Sequence, residues 1–246
     1  MAFVKLTVED GLADIVLDRP KVNALNRSLL EELGAAFERV SKDSQIRGAL
    51  MRSEGRSFSA GLDLKEVAGF ERENMQGFLA LFDRGVNPVF SCPKPLAVAV
   101  QGHAIAGGLV LALCADFLAL GEGDYKLGLT ELLVGVPFPR EAFEVVRTAL
   151  PPRALRRLVY MADLLGPREA FELGVGDALV PDPLGVARFW LAAVCSRPLT
   201  TFAIAKRQIR EEALARISGA PKSERDELLE ALFSAEVRGA LGGALG

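Results

Sequence analysis

Residues 100–116, VQGHAIAGGLVLALCAD, set three glycines and a lone histidine ahead of an unbroken apolar run. The segment before them, KPLAVAV at 94–100, is apolar after Lys94, as a strand covered on both faces requires. The run behind the glycines suits a buried helix beginning near Gly107, and FLAL at 117–120 reads as the next strand. A buried strand, a glycine-marked turn, a buried helix and another strand in succession predict an α/β chain.

Working back toward the N-terminus, residues 57–67 read SFSAGLDLKEV: small residues, an abrupt turn at Gly61, and a helix start in DLKEV. Earlier still, FVKLTVE and LADIVLD alternate about Asp10-Gly11, which predicts a hairpin with Asp-Gly as its turn. A helix capped by Asn26 or Ser28 should place Leu29, Leu30, Leu33, Phe37 and Val40 on one face. Strand-like RGALMR follows, and an amphipathic helix is expected over 72–90. Beyond Pro139 the chain reads as largely helical, broken at Pro151-Pro152, Gly166-Pro167 and Pro181 to Pro183.

The 246 residues are 50% hydrophobic and 25% charged, enough ordinary globular chain for a sizeable core. With 29 basic and 32 acidic residues and no run of like charge, nothing points to nucleic acid or a membrane surface as partner. The first ten residues alternate and carry charge, so they do not read as a secretory signal, and no apolar run is long enough to span a bilayer. Cys92, Cys114 and Cys195 are widely spaced among apolar residues and read as buried thiols of a reduced, cytoplasmic protein.

Candidate chemistry is scarce. A Ser-His-Asp site would have to use His103, the one histidine, and no nucleophile elbow occurs; His103 reads as a packed residue. One histidine beside scattered cysteines offers no metal site. AGGLVLAL lacks the spacing of a dinucleotide loop. What remains is two glycine-marked turns entering helices: Ser59-Ala60-Gly61-Leu62-Asp63-Leu64 and Ala106-Gly107-Gly108. Helix starts leave N–H groups unpaired, and small residues let a substrate oxygen approach them. Facing each other, such turns would form an oxyanion hole from main chain alone; the competing reading is that the glycines only permit close helix packing.

FSAGLDLKEV, VQGHAIAGGLVLALCAD and YKLGLTELLVGVPFP, with LDRPKVNALNRSLLEEL before them, resemble in order the signatures of the crotonase superfamily, the enoyl-CoA hydratases and isomerases. The resemblance implies a ClpP-like spiral of ββα units over residues 1–185 and a helical region over 186–246 that packs in a trimer or hexamer. It implies an acyl-CoA thioester substrate whose carbonyl is held by the N–H groups of Leu62 and Gly107. Ser59, Ala60, Gly61, Asp63, Leu64, Gly108 and Thr130 would line the substrate, with Lys21 beside the nucleotide and Arg19 in the same region. Asp63 reads as a turn and cap residue rather than an acid. CoA would enter as part of the substrate, with no metal and no other cofactor.

Hydratases of this family carry two catalytic glutamates; here Val110 occupies the first position and only Glu131, in GLTE, matches the second. Positioning water and delivering a proton is beyond a valine, whereas one carboxylate suffices to move a proton between two carbons. The motif wording is closest to the delta-3, delta-2-enoyl-CoA isomerases, so the expected reaction converts 3-enoyl-CoA to 2-enoyl-CoA. Alternatives are an enoyl-CoA hydratase, another crotonase-type thioester reaction, or a silent acyl-CoA binder. Thr130 and the ending GALGGALG, which lacks the family's basic tail, depart from the pattern.

Overall fold

The computed structural model describes residues 2–245. The outermost limits of the two expected segments, residues 1 and 246, lie outside the described residues.

The chain opens with β1 (Val4–Glu9) and β2 (Leu12–Leu17), paired antiparallel around Asp10 and Gly11. Both turn residues take positive φ, 50° and 76°, the combination whose twist matches a hairpin. Then come α1 (Arg27–Lys42), β3 (Gly48–Ser53), β4 (Ser57–Ser59), α2 (Leu64–Val67), α3 (Arg72–Ser91), β5 (Leu96–Val100), β6 (His103–Ile105), α4 (Gly107–Ala112), β7 (Phe117–Gly121) and β8 (Leu127–Gly128). After them run α5 (Glu131–Val134), α6 (Arg140–Ala149), α7 (Pro152–Met161), α8 (Pro167–Glu172), β9 (Ala178–Val180), α9 (Pro183–Cys195), α10 (Leu199–Ser218), α11 (Lys222–Leu232) and α12 (Ala235–Leu245).

Two sheets organise these elements. The larger has the order β1-β2-β3-β5-β7-β9, parallel from β2 onward, and the smaller the order β4-β6-β8, parallel throughout. β5 is buried at every residue, as its apolar run predicted. Asn26 caps α1 by accepting from the Leu29 N–H, and the five predicted apolar residues are buried on one face. That face meets α3 where Gly34 and Gly85 remove side chains from the crossing; a Cβ on Gly34 would stand 2.7 Å from the Arg84 carbonyl oxygen.

The expected boundary between residues 185 and 186 falls inside α9. Leu191 and Cys195 of that helix pack on Leu50, Ala97 and Ala119 of the large sheet, so α9 belongs to the core. Among the apolar side chains of the late helices, Leu158 and Leu191 are wholly buried within the chain. Trp190 stacks on Phe117 with ring centroids 5.1 Å apart, while Phe171 is exposed. α10 is tied inward by two buried cations: Lys206 Nζ donates to Asp116 Oδ2 at 2.6 Å and Arg210 to Asp116 Oδ1 at 2.8 Å. Their remaining donors reach backbone carbonyls, which is what a buried ion cluster needs to be tolerated.

Candidate active site

The small sheet builds the site. Its three parallel strands end on the same edge, and each feeds a short helix: β4 leads through Gly61 to α2, β6 through Ala106 to α4, and β8 through Thr130 to α5. Leu62, Gly107 and Glu131 are therefore carried to one edge by strands that neighbour each other.

At the first turn, Gly61 has φ 81°, which L side chains avoid. A Cβ there would lie 2.9 Å from the Ile105 carbonyl oxygen and 3.2 Å from the Gly107 nitrogen, so the two turns touch. Leu25 runs alongside: its N–H donates to the Gly61 oxygen at 2.7 Å and its carbonyl accepts from the Asp63 N–H at 3.1 Å. Because successive N–H groups of extended chain face opposite ways, this clamp turns the Leu62 N–H away from Leu25. Among the described residues it donates to nothing.

At the second turn, Ala106 caps α4 with φ 50° and ψ −125°, a strained conformation for a residue with a side chain. Its N–H is bound to the Gly128 oxygen at 2.8 Å, which joins this turn to the strand leading to Glu131. The Gly107 N–H, at the first position of α4, also has no acceptor among the described residues. Gly108 is held by packing: a Cβ would stand 2.1 Å from the Ser59 carbonyl oxygen. Gly108 thus serves close packing, while Gly107, itself buried, has an N–H without an acceptor among the described residues.

Glu131 begins α5 and is 7% exposed, with its Oε2 buried and without a partner among the described residues. Burial pushes its carboxyl up to about 7, against a weaker opposing pull from its own backbone N–H. Val110, one turn beyond Gly107 on α4, is fully buried and apolar. The end of α5 is covered by the chain itself, since a Cβ on Gly135 would lie 3.3 Å from Val237 Cα of α12.

Other expected site residues are spent on construction. Ser59 Oγ donates to the Asn23 oxygen at 2.7 Å and accepts from the Gly61 N–H at 3.2 Å, so its hydroxyl holds the turn. Asp63 caps α2 through the Lys65 and Glu66 N–H groups and pairs with Arg19 at 2.6 Å, which ties Arg19 to the site's scaffold. Ala60 donates its N–H to the Val22 oxygen, and Leu64 is half-buried at the start of α2. Lys21 is exposed; Thr130 is half-buried and makes no side-chain cap. His103 Nδ1 accepts from the Lys126 N–H at 3.1 Å, a structural bond. Asn23 escaped the sequence reading: buried at φ 50°, it donates to the Glu54 and Ser57 oxygens and accepts from Arg19 N–H. An asparagine shortly after Pro20 was the available signal, since asparagine tolerates positive φ.

The site therefore presents two uncommitted N–H groups on touching turns and one buried carboxyl on the adjoining strand-to-helix connection. Such donors suit an oxygen that gains negative charge, and such a carboxyl suits proton transfer near neutral pH.

The family model described as enoyl-CoA hydratase/isomerase matches residues 7–238. The chain is 30% identical over 217 residues to a probable enoyl-CoA hydratase of Mycobacterium tuberculosis, covering 85% of this chain and 82% of the relative. It is 31% identical over 174 residues to the mitochondrial enoyl-CoA delta isomerase 1 of Mus musculus, covering 70% and 60% respectively. Among solved structures, human mitochondrial delta3-delta2-enoyl-CoA isomerase matches with a TM-score of 0.94 at 24% identity, over 99% of this chain and 96% of that one, a likeness of fold. A probable enoyl-CoA hydratase from Mycobacterium tuberculosis matches with a TM-score of 0.83 at 26% identity, over 94% and 99%.

Proposed function

This chain belongs to the enoyl-CoA hydratase/isomerase family, and from that premise we propose that it shifts the double bond of a 3-enoyl-CoA thioester to the 2-position with Glu131 as sole proton carrier. The observation that carries this reading is the pairing of a buried, proton-accepting Glu131 with an apolar Val110. The thioester oxygen accepts from the Leu62 and Gly107 N–H groups. Glu131 removes a proton from C2, the electrons of that C–H bond form the C2–C3 double bond of the product, and the former C3–C4 pair takes the proton back at C4. Negative charge gathers on the thioester oxygen in between, where each donor is typically worth ~10²–10³ in rate. No metal or redox group has a part in this sequence, and CoA enters with the substrate. Hydration is the second reading, favoured by the naming of the Mycobacterium tuberculosis relative; it requires a second polar group that Val110 does not supply.

The pH dependence follows in sign from the raised carboxyl. Glu131 works as a base only when ionised, so kcat/KM for isomerisation should climb about tenfold per pH unit below about 7 and level off above it. A profile already flat from pH 5 upward would remove Glu131 as the base.

We also propose that copies of the chain assemble, as a trimer or a pair of trimers. The family resemblance supports this reading, and Phe189 of α9 and Ile209 of α10, 78% and 75% exposed, are apolar side chains that a contact between copies would cover. Sedimentation at micromolar concentration should give a multiple of the chain mass; a single-chain mass would refute assembly. Cys92, Cys114 and Cys195 are free and buried, which fits a reducing compartment, and among the described residues no helix is long and apolar enough to cross a membrane.

A further inference from the structure

Of the four successive backbone N–H groups at the first turn, three are committed. Ala60 donates to the Val22 oxygen at 3.0 Å, Gly61 to Ser59 Oγ at 3.2 Å, and Asp63 to the Leu25 oxygen at 3.1 Å. Leu62, between them, donates to nothing among the described residues. The partners trace to one segment, residues 22–25: Val22 and Leu25 accept directly, and Ser59 Oγ donates in turn to the Asn23 oxygen at 2.7 Å. The same segment sets where the free N–H points. In a trans peptide the C=O of one residue and the N–H of the next are antiparallel in one plane. The Gly61 oxygen accepts from the Leu25 N–H at 2.7 Å, so the Leu62 N–H is turned directly away from Leu25. Any shift of Leu25 therefore re-aims the donor.

Residues 22–25 lie between β2 and α1, and the side chain that fixes them is Asn23. It is 2% exposed, and both amide hydrogens and the amide oxygen are engaged. Nδ2 donates to the Glu54 and Ser57 oxygens at 3.0 and 2.8 Å, which ties the segment to the start of β4. Oδ1 accepts from the Arg19 N–H at 2.6 Å, and the Asn23 N–H donates to the Arg19 oxygen at 2.9 Å. Arg19 then bolts the segment to the far side of the turn, donating to the Ala24 oxygen at 3.0 Å and to Asp63 Oδ2 at 2.6 Å. At φ 50°, the position suits asparagine better than most residues with a side chain.

We infer that Asn23 is a positioning residue: through Leu25 and Ser59 it aims the Leu62 N–H at the thioester oxygen. The inference rests on the acyl-CoA reading of the site. A donor misplaced by ~1 Å can cost ~10²-fold in rate, so loosening this anchor should lower kcat by about tenfold or more. KM and the affinity for saturated esters should move little, because an oxyanion donor holds its partner most tightly in the transition state.

Infrared spectroscopy reads the donor directly and apart from the reaction. Hexanoyl-CoA, isotopically labelled at the thioester carbonyl, is bound to the full-length protein and its carbonyl stretch recorded by difference. Donors that polarise the carbonyl should lower its frequency in the wild type. Ser59→Ala releases the Gly61 N–H, and Asn23→Gly keeps the positive φ while removing the anchor. Each should lose about half of the shift, one of two donors being misaimed. Each should also show the fall in kcat, with the wild-type pH profile because Glu131 is untouched. Tyr125→Phe, which removes a buried hydroxyl bonded to the Gly121 oxygen at 2.6 Å, measures the effect of destabilisation alone and should keep the wild-type band. Should Asn23→Gly fail to fold, Ser59→Ala decides. A full wild-type shift in the folded variants, or an equal loss in Tyr125→Phe, would overturn the inference. Absence of any shift in the wild type would overturn it together with the oxyanion reading. The expected shifts in a protein that isomerises nothing would instead remove the proposed reaction and leave the role of Asn23 standing.

Discussion

Glu131→Gln should lower isomerase turnover by at least ~10²-fold, the scale of losing a general base, while the fold and the affinity for saturated CoA esters stay near wild type. The amide keeps the shape of the carboxyl but has no basic oxygen able to carry a proton from C2 to C4. Folding should tolerate the change because the carboxyl is an uncomfortable resident: it is 7% exposed, one oxygen is unpartnered, and burial already favours its neutral form. A neutral amide in its place removes a desolvation cost instead of adding one. Ester affinity, which depends on the Leu62 and Gly107 N–H groups and on contacts along the acyl and CoA parts, is untouched in this scheme. Activity, a melting curve and ester binding measured on one preparation separate these effects. Unchanged isomerisation would show that another group moves the proton.

Val110→Glu should act in the opposite chemical sense. It sets a carboxyl one turn past Gly107, at the position that the sequence resemblance matches to the first glutamate of hydratases. Two carboxyls on neighbouring strand-to-helix connections can hold a water and exchange a proton with it, so the variant should gain measurable hydration of 2-enoyl-CoA. The cost falls on stability. Val110 has no exposure and belongs to the main apolar cluster, so an ionisable side chain there should destabilise the fold by roughly several kcal/mol. A large fall in melting temperature with a small new hydratase activity is the expected pair of results. Hydration already present in the wild type at comparable rate would remove the distinction between Val110 and a glutamate.

Elements governed by local rules were legible in the amino-acid sequence. The Asp10-Gly11 turn is set by its own two residues, and α1 and α3 by apolar spacing along a single helix. β4, β8 and β9 were not, because strands of two or three residues have no periodicity to read and owe their existence to partners far along the chain. Ser57 pairs with His103 and Ala104 with Leu127, contacts no local pattern encodes. This matters for the site, since the three parallel strands of the small sheet are what bring Leu62, Gly107 and Glu131 to one edge.

Within the site, the glycine turns were visible as glycine turns, and the resemblance supplied the choice of Leu62 and Gly107. The apolar neighbours of Glu131 left its burial open between a solvated loop and a covered base, and the positive φ of Ala106 was not visible because alanine rarely takes that conformation. Ser59 looked available to a substrate, but its hydroxyl is consumed by Asn23 and Gly61. Residues 186–246 read as a helical region that packs between copies of the chain. α9 instead closes the face of the large sheet, since apolar residues that serve a core and those that serve a subunit contact have the same composition.

The most direct measurement incubates the wild-type enzyme with a 3-enoyl-CoA ester and, separately, with its 2-enoyl isomer, and follows mass and ultraviolet absorbance together. One-carboxylate isomerisation predicts that the 3-enoyl ester gains the absorbance of a conjugated thioester at unchanged mass, while the 2-enoyl ester takes up no appreciable water. Rapid conversion of the 2-enoyl ester to a product heavier by one water, with the 3-enoyl ester left unchanged, would contradict it.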